Sequence, residues 1–186
     1  MASQLVVIRH GETEWSSRGR HTSRTDIELT DHGRAQATAL TPRLAAWTFA
    51  LVLTSPRRRA RETAALAGLG DQAQVDDDLR ELDYGEDEGR TTPEIRAERP
   101  GWTVWDGCVD GESIAAAGAR ADQLLARLAA VDGVVALFGH AHFSRILTAR
   151  WLELPPDGGR RFELATATLN VLGYECESTV LQRWNA

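Results

Sequence analysis

Short apolar runs and amphipathic segments alternate along the chain, and this pattern predicts most of its secondary structure. The apolar, β-branched run at 4–8 is typical of a buried strand. Apolar side chains at helical spacing over 112–131 predict the clearest helix. The other predicted elements are strands at 50–53, 74–75, 134–138, 168–174 and 178–181, helices at 31–46, 57–66, 92–98 and 141–152, and loops at 15–27, 79–89 and 155–159.

Strands and helices alternate along this chain, and alternation of that kind is typical of parallel strands joined by crossover helices. We therefore predict an α/β fold, a doubly wound, mostly parallel sheet flanked by helices on both faces. The chain has 186 residues and shows no internal repeat, low-complexity stretch or interdomain linker. A single domain over 1–186 is the expectation for this length.

Composition and charge narrow the class of protein. Hydrophobic residues make up 42% and charged residues 26%, which is ordinary for a soluble globular domain. The net charge of −6 argues against general nucleic-acid binding, which leaves a basic footprint. Cys108 and Cys176 are too few for a disulfide framework. No signal region or membrane-length apolar run is visible, so we expect a cytoplasmic protein with reduced thiols and no membrane partner.

Candidate chemistry begins where the first strand ends, at Arg9 and His10. The carboxyl ends of strands in open α/β sheets are where such sheets bind ligands. An Arg-His pair at a strand end, taken alone, is more often plain surface than a ligand site. The longer string at 9–15, Arg-His-Gly-Glu-Thr-Glu-Trp, resembles the signature of the histidine phosphatase superfamily. That superfamily contains cofactor-dependent phosphoglycerate mutases and many phosphomonoesterases.

This resemblance implies that His10 is a phosphoryl-accepting nucleophile and that Arg9 holds the phosphate through its fork of donors. The string at 55–64, Ser-Pro-Arg-Arg-Arg-Ala-Arg-Glu-Thr-Ala, resembles the second arginine motif of the family. It implies that Arg59 also reaches the phosphate. For the neighbouring arginines, a solvated basic helix face is the simpler interpretation.

A third motif at 138–142, Phe-Gly-His-Ala-His, follows the apolar run of a predicted strand. By resemblance, His140 is the second active-site histidine and contacts the phosphate as a cation. Ala141 stands where the family usually has glycine, and Gly139 where it has a small hydroxyl residue or alanine. Helix N-termini attract phosphate, which fits a histidine at this position.

The acidic stretch at 79–89 is expected to supply the proton donor. Composition alone leaves its five carboxylates indistinguishable. In the family the proton-donor glutamate lies three residues before an aromatic-glycine pair, and this implies Glu81, ahead of Tyr84 and Gly85. The other carboxylates are expected to be solvated; they are Asp83, Glu86, Asp87 and Glu88.

Further substrate-binding positions follow from the resemblance, although each is also compatible with an ordinary loop residue. Ser16 stands six residues after the nucleophile, where the family often has asparagine. Thr22 and Ser23 fall in the loop that lines the substrate side in mutases. Tyr84 and Ala141 complete the predicted substrate-binding set.

The pair His140 and His142 also suggests a metal site. Zinc uses three or four protein ligands, and no Glu or Asp at matching spacing joins these two. We therefore expect no metal and no organic cofactor, and His142 is predicted to pack or hydrogen-bond near the pocket.

The expected activity is hydrolysis of small phosphorylated metabolites through a phosphohistidine on His10, with Glu81 as proton donor. The connection at 90–110 is too short to build a large lid, which favours a phosphatase over the alternative, a cofactor-dependent phosphoglycerate mutase. The string at 102–112 resembles sedoheptulose-bisphosphatase-like members and actinobacterial acid phosphatases, although its tryptophans would also suit the edge of the core. An inert binding module and a metallohydrolase are weaker alternatives, and a homodimer stays open.

Overall fold

The centre of the fold is a six-stranded sheet, described over residues 2–186 in a computed structural model. Its spatial order is β3-β2-β4-β1-β5-β6. The strands are β1 (Ala2–Arg9), β2 (Phe49–Thr54), β3 (Ala73–Val75), β4 (Gly133–Gly139), β5 (Leu169–Glu175) and β6 (Ser178–Arg183). The pairs β1–β4, β4–β2 and β2–β3 are parallel, while β5 runs antiparallel to β1 and to β6. The predicted fold, a mostly parallel sheet with helices on both faces, is confirmed.

Seven helices of residues 2–186 surround this sheet. They are α1 (Glu14–Ser17), α2 (Asp31–Ala39), α3 (Thr41–Leu44), α4 (Arg58–Leu66), α5 (Thr92–Glu98), α6 (Ile114–Leu128) and α7 (Ala141–Trp151). Leu5 and Val7 of β1 pack in the core layer that holds α6 and α7, whereas Val6 and Ile8 pack in the layer that holds α3 and α4. Because both faces of β1 are buried over 5–8, the sequence of that stretch is continuously apolar rather than alternating.

Two predicted elements differ from the structure. The predicted helix at 31–46 is divided at Leu40 into α2 and α3, with Pro42 in the first turn of α3. Proline lacks the N–H that would continue the hydrogen-bond ladder of α2. The predicted loop at 15–27 begins with the one-turn helix α1, which a reciprocal capping box between Thr13 and Ser16 stabilises.

Three adjacent strands carry the predicted site residues to one edge of the sheet. His10 follows β1, and its backbone N–H donates to the carbonyl oxygen of Gly139 at the end of β4 (3.0 Å). Ser55 follows β2, and its N–H donates to the carbonyl oxygen of Phe138 (2.9 Å). Since β1, β4 and β2 are parallel, His10, Ser55 and His140 emerge together at their carboxyl ends.

Two further sequence expectations concern the whole chain. Both cysteines are free thiols, Cys108 half-buried and Cys176 exposed. Among the helices of residues 2–186, none has the length and apolar character needed to cross a membrane.

Candidate active site

His10 lies buried at the carboxyl end of β1, with 5% of its surface exposed. Its Nδ1 is 2.7 Å from the carbonyl oxygen of Gly11. A carbonyl oxygen only accepts, so Nδ1 carries the proton of the neutral ring and Nε2 keeps its lone pair. Desolvation, and then the charges of Arg59 and Arg9, lower the pKa of His10 well below its usual value. The ring is therefore neutral at pH 7, as a nucleophilic imidazole must be.

The turn after His10 is held by a close approach of two backbones. A Cβ added to Gly11 would lie 2.4 Å from the carbonyl oxygen of Gly33, so a side chain there would displace the backbone. The N–H of Gly11 donates to Thr63 Oγ1 (3.0 Å), which ties the turn to α4. The glycine that follows the histidine in the motif thus has a packing role.

Two guanidinium groups, those of the half-buried Arg9 and the buried Arg59, adjoin His10. Arg59 is fully buried and donates to the carbonyl oxygens of Thr25 (3.0 Å), Thr22 (3.1 Å) and Ser23 (3.3 Å). Arg9 donates to the carbonyl oxygen of Leu164 (2.6 Å).

Neither guanidinium is neutralised by its hydrogen bonds. Within residues 2–186, the buried Nε of each has no hydrogen-bond partner, and neither arginine forms an ion pair. Desolvation lowers the pKa of both groups, and the charge of Glu81 opposes that shift. Two uncompensated cations beside a neutral imidazole suit a phosphoryl dianion.

His140 is the N-cap residue of α7 and is fully buried. Its ring centroid lies 5.2 Å from that of His10, and its Nε2 is 2.7 Å from Ser55 Oγ. Desolvation, followed by the charge of Arg59, lowers the pKa of His140 well below its usual value. The ring is therefore neutral in this arrangement. The resemblance implies a cationic contact with phosphate, and protonating His140 for that contact requires a bound anion that offsets the charge of Arg59.

A serine followed by proline is a common helix start, so the sequence predicts Ser55 as the N-cap of the helix at 57–66. This prediction is wrong. The helix α4 begins at Arg58, after Arg57 as its N-cap residue. The Ser55 hydroxyl instead bonds His140 and accepts the N–H of Arg57 (3.3 Å).

Glu81 is buried against the amino end of α7. Its Oε1 accepts the N–H groups of Leu82 (2.9 Å) and Phe143 (2.8 Å), and its Oε2 accepts that of His142 (3.1 Å). These amides fix the carboxylate beside the helix that His140 caps.

A cavity of about 300 Å³ joins most of the predicted residues. The predicted residues that line it are Arg9, His10, Ser16, Thr22, Glu81, Tyr84 and Ala141. Arg59 and His140 are fully buried beside His10. Ser23 instead lines a neighbouring cavity of about 350 Å³, which also contains Glu81.

The minor positions make local contacts. Ser16 Oγ donates to the carbonyl oxygen of Thr13 (3.1 Å) within the capping box of α1. Thr22 presents its carbonyl oxygen to Arg59.

The Tyr84 hydroxyl lies 2.7 Å from Nδ1 of His142, which confirms the expectation that His142 hydrogen-bonds near the pocket. Desolvation lowers the pKa of His142 well below its usual value.

Two carboxylates that were expected to be solvated are structural. Glu88 accepts hydrogen bonds from the backbone N–H of Ser23 (2.9 Å), from Ser23 Oγ (2.7 Å) and from the N–H of Thr25 (3.0 Å). Asp87 is fully buried and pairs with Arg99. No local pattern marks Glu88, because its partners lie more than sixty residues away.

Of the two tryptophans at 102–112, one is buried in the core and the other lies beside the site. Trp102 is buried in the core, as the simpler interpretation of this segment predicted. Trp105 packs edge-on against the ring of His142, with 5.7 Å between centroids. Within residues 2–186, no group of three or more His, Cys, Asp or Glu side chains could hold a metal ion.

Comparison with known proteins defines the class of this site. Residues 5–186 match the histidine phosphatase superfamily (branch 1). An acid phosphatase of Mycobacterium tuberculosis is 45% identical over 92% of this chain and 87% of its own length. Sedoheptulose 1,7-bisphosphatase of Saccharomyces cerevisiae is 33% identical over 83% of this chain and 69% of its own length. A solved structure of an open reading frame from M. tuberculosis superposes with a TM-score of 0.94 at 42% identity, covering 100% of this chain and 98% of that one.

The chain therefore belongs to the histidine phosphatase superfamily, and the resemblance seen in its motifs is confirmed. It is a phosphatase of that family acting on phosphorylated metabolites.

Proposed function

We propose that this phosphatase hydrolyses phosphomonoesters of small metabolites, sugar phosphates or similar compounds, through a phosphohistidine on His10. The observation that carries the proposal is the state of His10, a neutral ring whose Nδ1 is bound to a carbonyl and whose Nε2 has no hydrogen-bond partner within residues 2–186. The uncompensated guanidinium groups of Arg9 and Arg59 adjoin it. This arrangement suits in-line attack on a phosphoryl group held by two cations.

In the first step, Nε2 of His10 attacks phosphorus and the bond to the leaving oxygen breaks. Glu81 enters this step as the protonated acid, gives its proton to that oxygen and becomes a carboxylate, so the product leaves as an alcohol. In the second step, Glu81 takes a proton from water, the water oxygen attacks phosphorus and the N–P bond breaks. Inorganic phosphate leaves, and His10 returns to its neutral form. Arg9, Arg59 and His140 stabilise the charge on the non-bridging oxygens in both steps.

The connection between Gly89 and Gly111 supports hydrolysis rather than phosphoryl transfer to a second substrate. It holds the seven-residue helix α5 and one 3₁₀ turn, Val104–Asp106. Trp102 anchors this segment in the core. A segment of this size offers little cover against water, which would hydrolyse a phosphohistidine.

The test is release of inorganic phosphate from a panel of phosphomonoesters, with a metal chelator present throughout. We expect turnover by the wild type and a loss of at least about 10³-fold in His10→Ala, because the nucleophile is absent. His32→Ala is the matched control, since His32 is exposed on α2 and should keep full activity.

Two outcomes would contradict the proposal. Near-normal turnover by His10→Ala would exclude the phosphohistidine. No phosphate release from the panel, together with interconversion of 3- and 2-phosphoglycerate after a bisphosphoglycerate primer is added, would identify a mutase.

A further inference from the structure

His142, in the first turn of α7, links Glu81 to Tyr84 through two hydrogen bonds. Its backbone N–H donates to Oε2 of Glu81 (3.1 Å), and its ring Nδ1 lies 2.7 Å from the hydroxyl oxygen of Tyr84. Tyr84 follows Glu81 by three residues, so the segment 81–84 is attached to α7 at both of its ends. The two contacts close a ring of side chain and backbone that includes the carboxyl group.

The Tyr84 side chain has little freedom to move. The residue is 2% exposed, and its ring packs edge-on against that of His142, with 5.8 Å between centroids. The ring of His21 lies 4.9 Å from the Tyr84 ring, centroid to centroid. A hydroxyl on so buried a ring needs a hydrogen-bond partner, and Nδ1 of His142 is that partner.

Both members of this hydrogen bond are neutral. Desolvation, and then the charge of Glu81, raise the pKa of Tyr84 well above its usual value, so its hydroxyl stays protonated. Desolvation lowers the pKa of His142 well below its usual value, so its ring is uncharged at pH 7. The pair can therefore hold the carboxyl group of Glu81 without adding a charge that would favour either of its protonation states.

The contact with His142 governs one oxygen of the carboxyl group. Within residues 2–186, two hydrogen bonds hold Oε1 of Glu81, from the N–H groups of Leu82 and Phe143, and the one from His142 holds Oε2. A displacement of His142 would therefore turn the plane of the carboxyl group. Because a general acid must lie within hydrogen-bond reach of the oxygen it protonates, such a turn would slow proton transfer.

We infer that Tyr84 and His142 act as a positioning pair for the proton donor. The Tyr84 hydroxyl fixes the ring of His142, and His142 fixes the carboxyl group of Glu81 through its backbone N–H. This inference rests on the proposed role of Glu81 as the acid. It gives both residues a role that requires no contact with the substrate. Their loss matters most for a leaving group that cannot depart without a proton.

The test uses three phosphomonoesters with one aromatic ring each: p-nitrophenyl, phenyl and benzyl phosphate. p-Nitrophenolate leaves without protonation, whereas a benzyl alkoxide requires an acid. The ratio kcat/KM reports the steps up to formation of the phosphohistidine, because release of the alcohol is irreversible at initial rates. Glu81→Gln sets the scale. We expect it to lower kcat/KM for benzyl phosphate about 10²- to 10⁴-fold and to leave p-nitrophenyl phosphate within about threefold.

Tyr84→Phe and His142→Leu should show the same selectivity, with kcat/KM for benzyl phosphate about 10- to 100-fold lower and p-nitrophenyl phosphate within about threefold. His142→Asn should restore most of the loss, because its amide places a donor and an acceptor near the position of Nδ1. Tyr174→Phe is the matched control, since Tyr174 lies on β5 and its hydroxyl makes no hydrogen bond within residues 2–186. It should leave kcat/KM unchanged for all three esters.

The outcomes separate this inference from the proposed function. Equal losses for the three esters in Glu81→Gln would refute the acid role of Glu81 itself. If Glu81→Gln is selective, but Tyr84→Phe with a wild-type Tm lowers kcat/KM equally for all three esters or for none, the positioning pair is overturned while phosphohistidine hydrolysis stands. A His142→Asn enzyme no more active than His142→Leu would overturn it as well.

Discussion

Substituting Glu88 tests whether the loop that holds Arg59 fixes the geometry of the site, because Glu88 contacts that loop. Its carboxylate accepts hydrogen bonds from three donor groups, the backbone N–H and the hydroxyl of Ser23 and the N–H of Thr25, at 2.7–3.0 Å. The carbonyl oxygens of Thr22, Ser23 and Thr25 in turn hold the Arg59 guanidinium. We expect Glu88→Gln to loosen this loop, since an amide removes the charge and turns an NH₂ group towards backbone donors.

The magnitude follows from these contacts. A hydrogen bond to a charged group contributes about 1.5–3 kcal/mol, and glutamine preserves one of the two acceptor oxygens. A net loss of about 2–3 kcal/mol in the free energy of unfolding is therefore expected. For a chain of this length, that corresponds to a Tm about 4–12 °C lower. We also expect kcat/KM to fall at least about tenfold, because Arg59 loses its fixed orientation.

The assay is thermal unfolding together with steady-state phosphatase kinetics. Glu86→Gln provides the control, since Glu86 is exposed two residues away and makes no hydrogen bond through its side chain within residues 2–186. It should change Tm by less than about 1–2 °C. A Glu88→Gln enzyme with wild-type Tm and wild-type kcat/KM would refute the view that Glu88 organises the loop.

Two further predictions concern the buried histidines. His10, His140 and His142 all have lowered pKa values, so below about pH 6.5 the unfolded chain binds protons that the folded chain does not. Urea unfolding should thus show stability falling from pH 7 to 5.5 by up to about 1.4 kcal/mol per pH unit for each histidine, and a flat profile would contradict this. Ser55→Ala should leave Nε2 of His140 without its partner, costing about 1–3 kcal/mol and several-fold in kcat. Wild-type values for both quantities would show that the contact is dispensable.

Much of the fold, and the placement of His10 and His140 at one edge of the sheet, could be predicted because the signals are local. The apolar run before His10 and that before His140 identify buried strands. Parallel pairing then brings the ends of those strands together without further information. The division of 31–46 at Pro42 also has a local cause, although helical periodicity across the break concealed it.

The supporting contacts could not be predicted, because each joins residues that are distant in the sequence. Glu88 meets Ser23 across 65 positions, and Ser55 meets His140 across 85. In both pairs the local sequence predicts a different and more common role. It predicts a solvated acid for Glu88 and a helix N-cap for Ser55. Tertiary packing determined the actual role in each case.

The central claim, a phosphoryl group carried by His10, is tested most directly by trapping the intermediate. The enzyme is mixed with its best substrate, quenched within milliseconds in base and digested for mass spectrometry, because phosphohistidine is labile in acid. The account predicts one added phosphoryl group on the peptide containing His10, and none in the His10→Ala variant. A phosphoryl group on another residue, or full turnover by a His10→Ala enzyme, would contradict the claim.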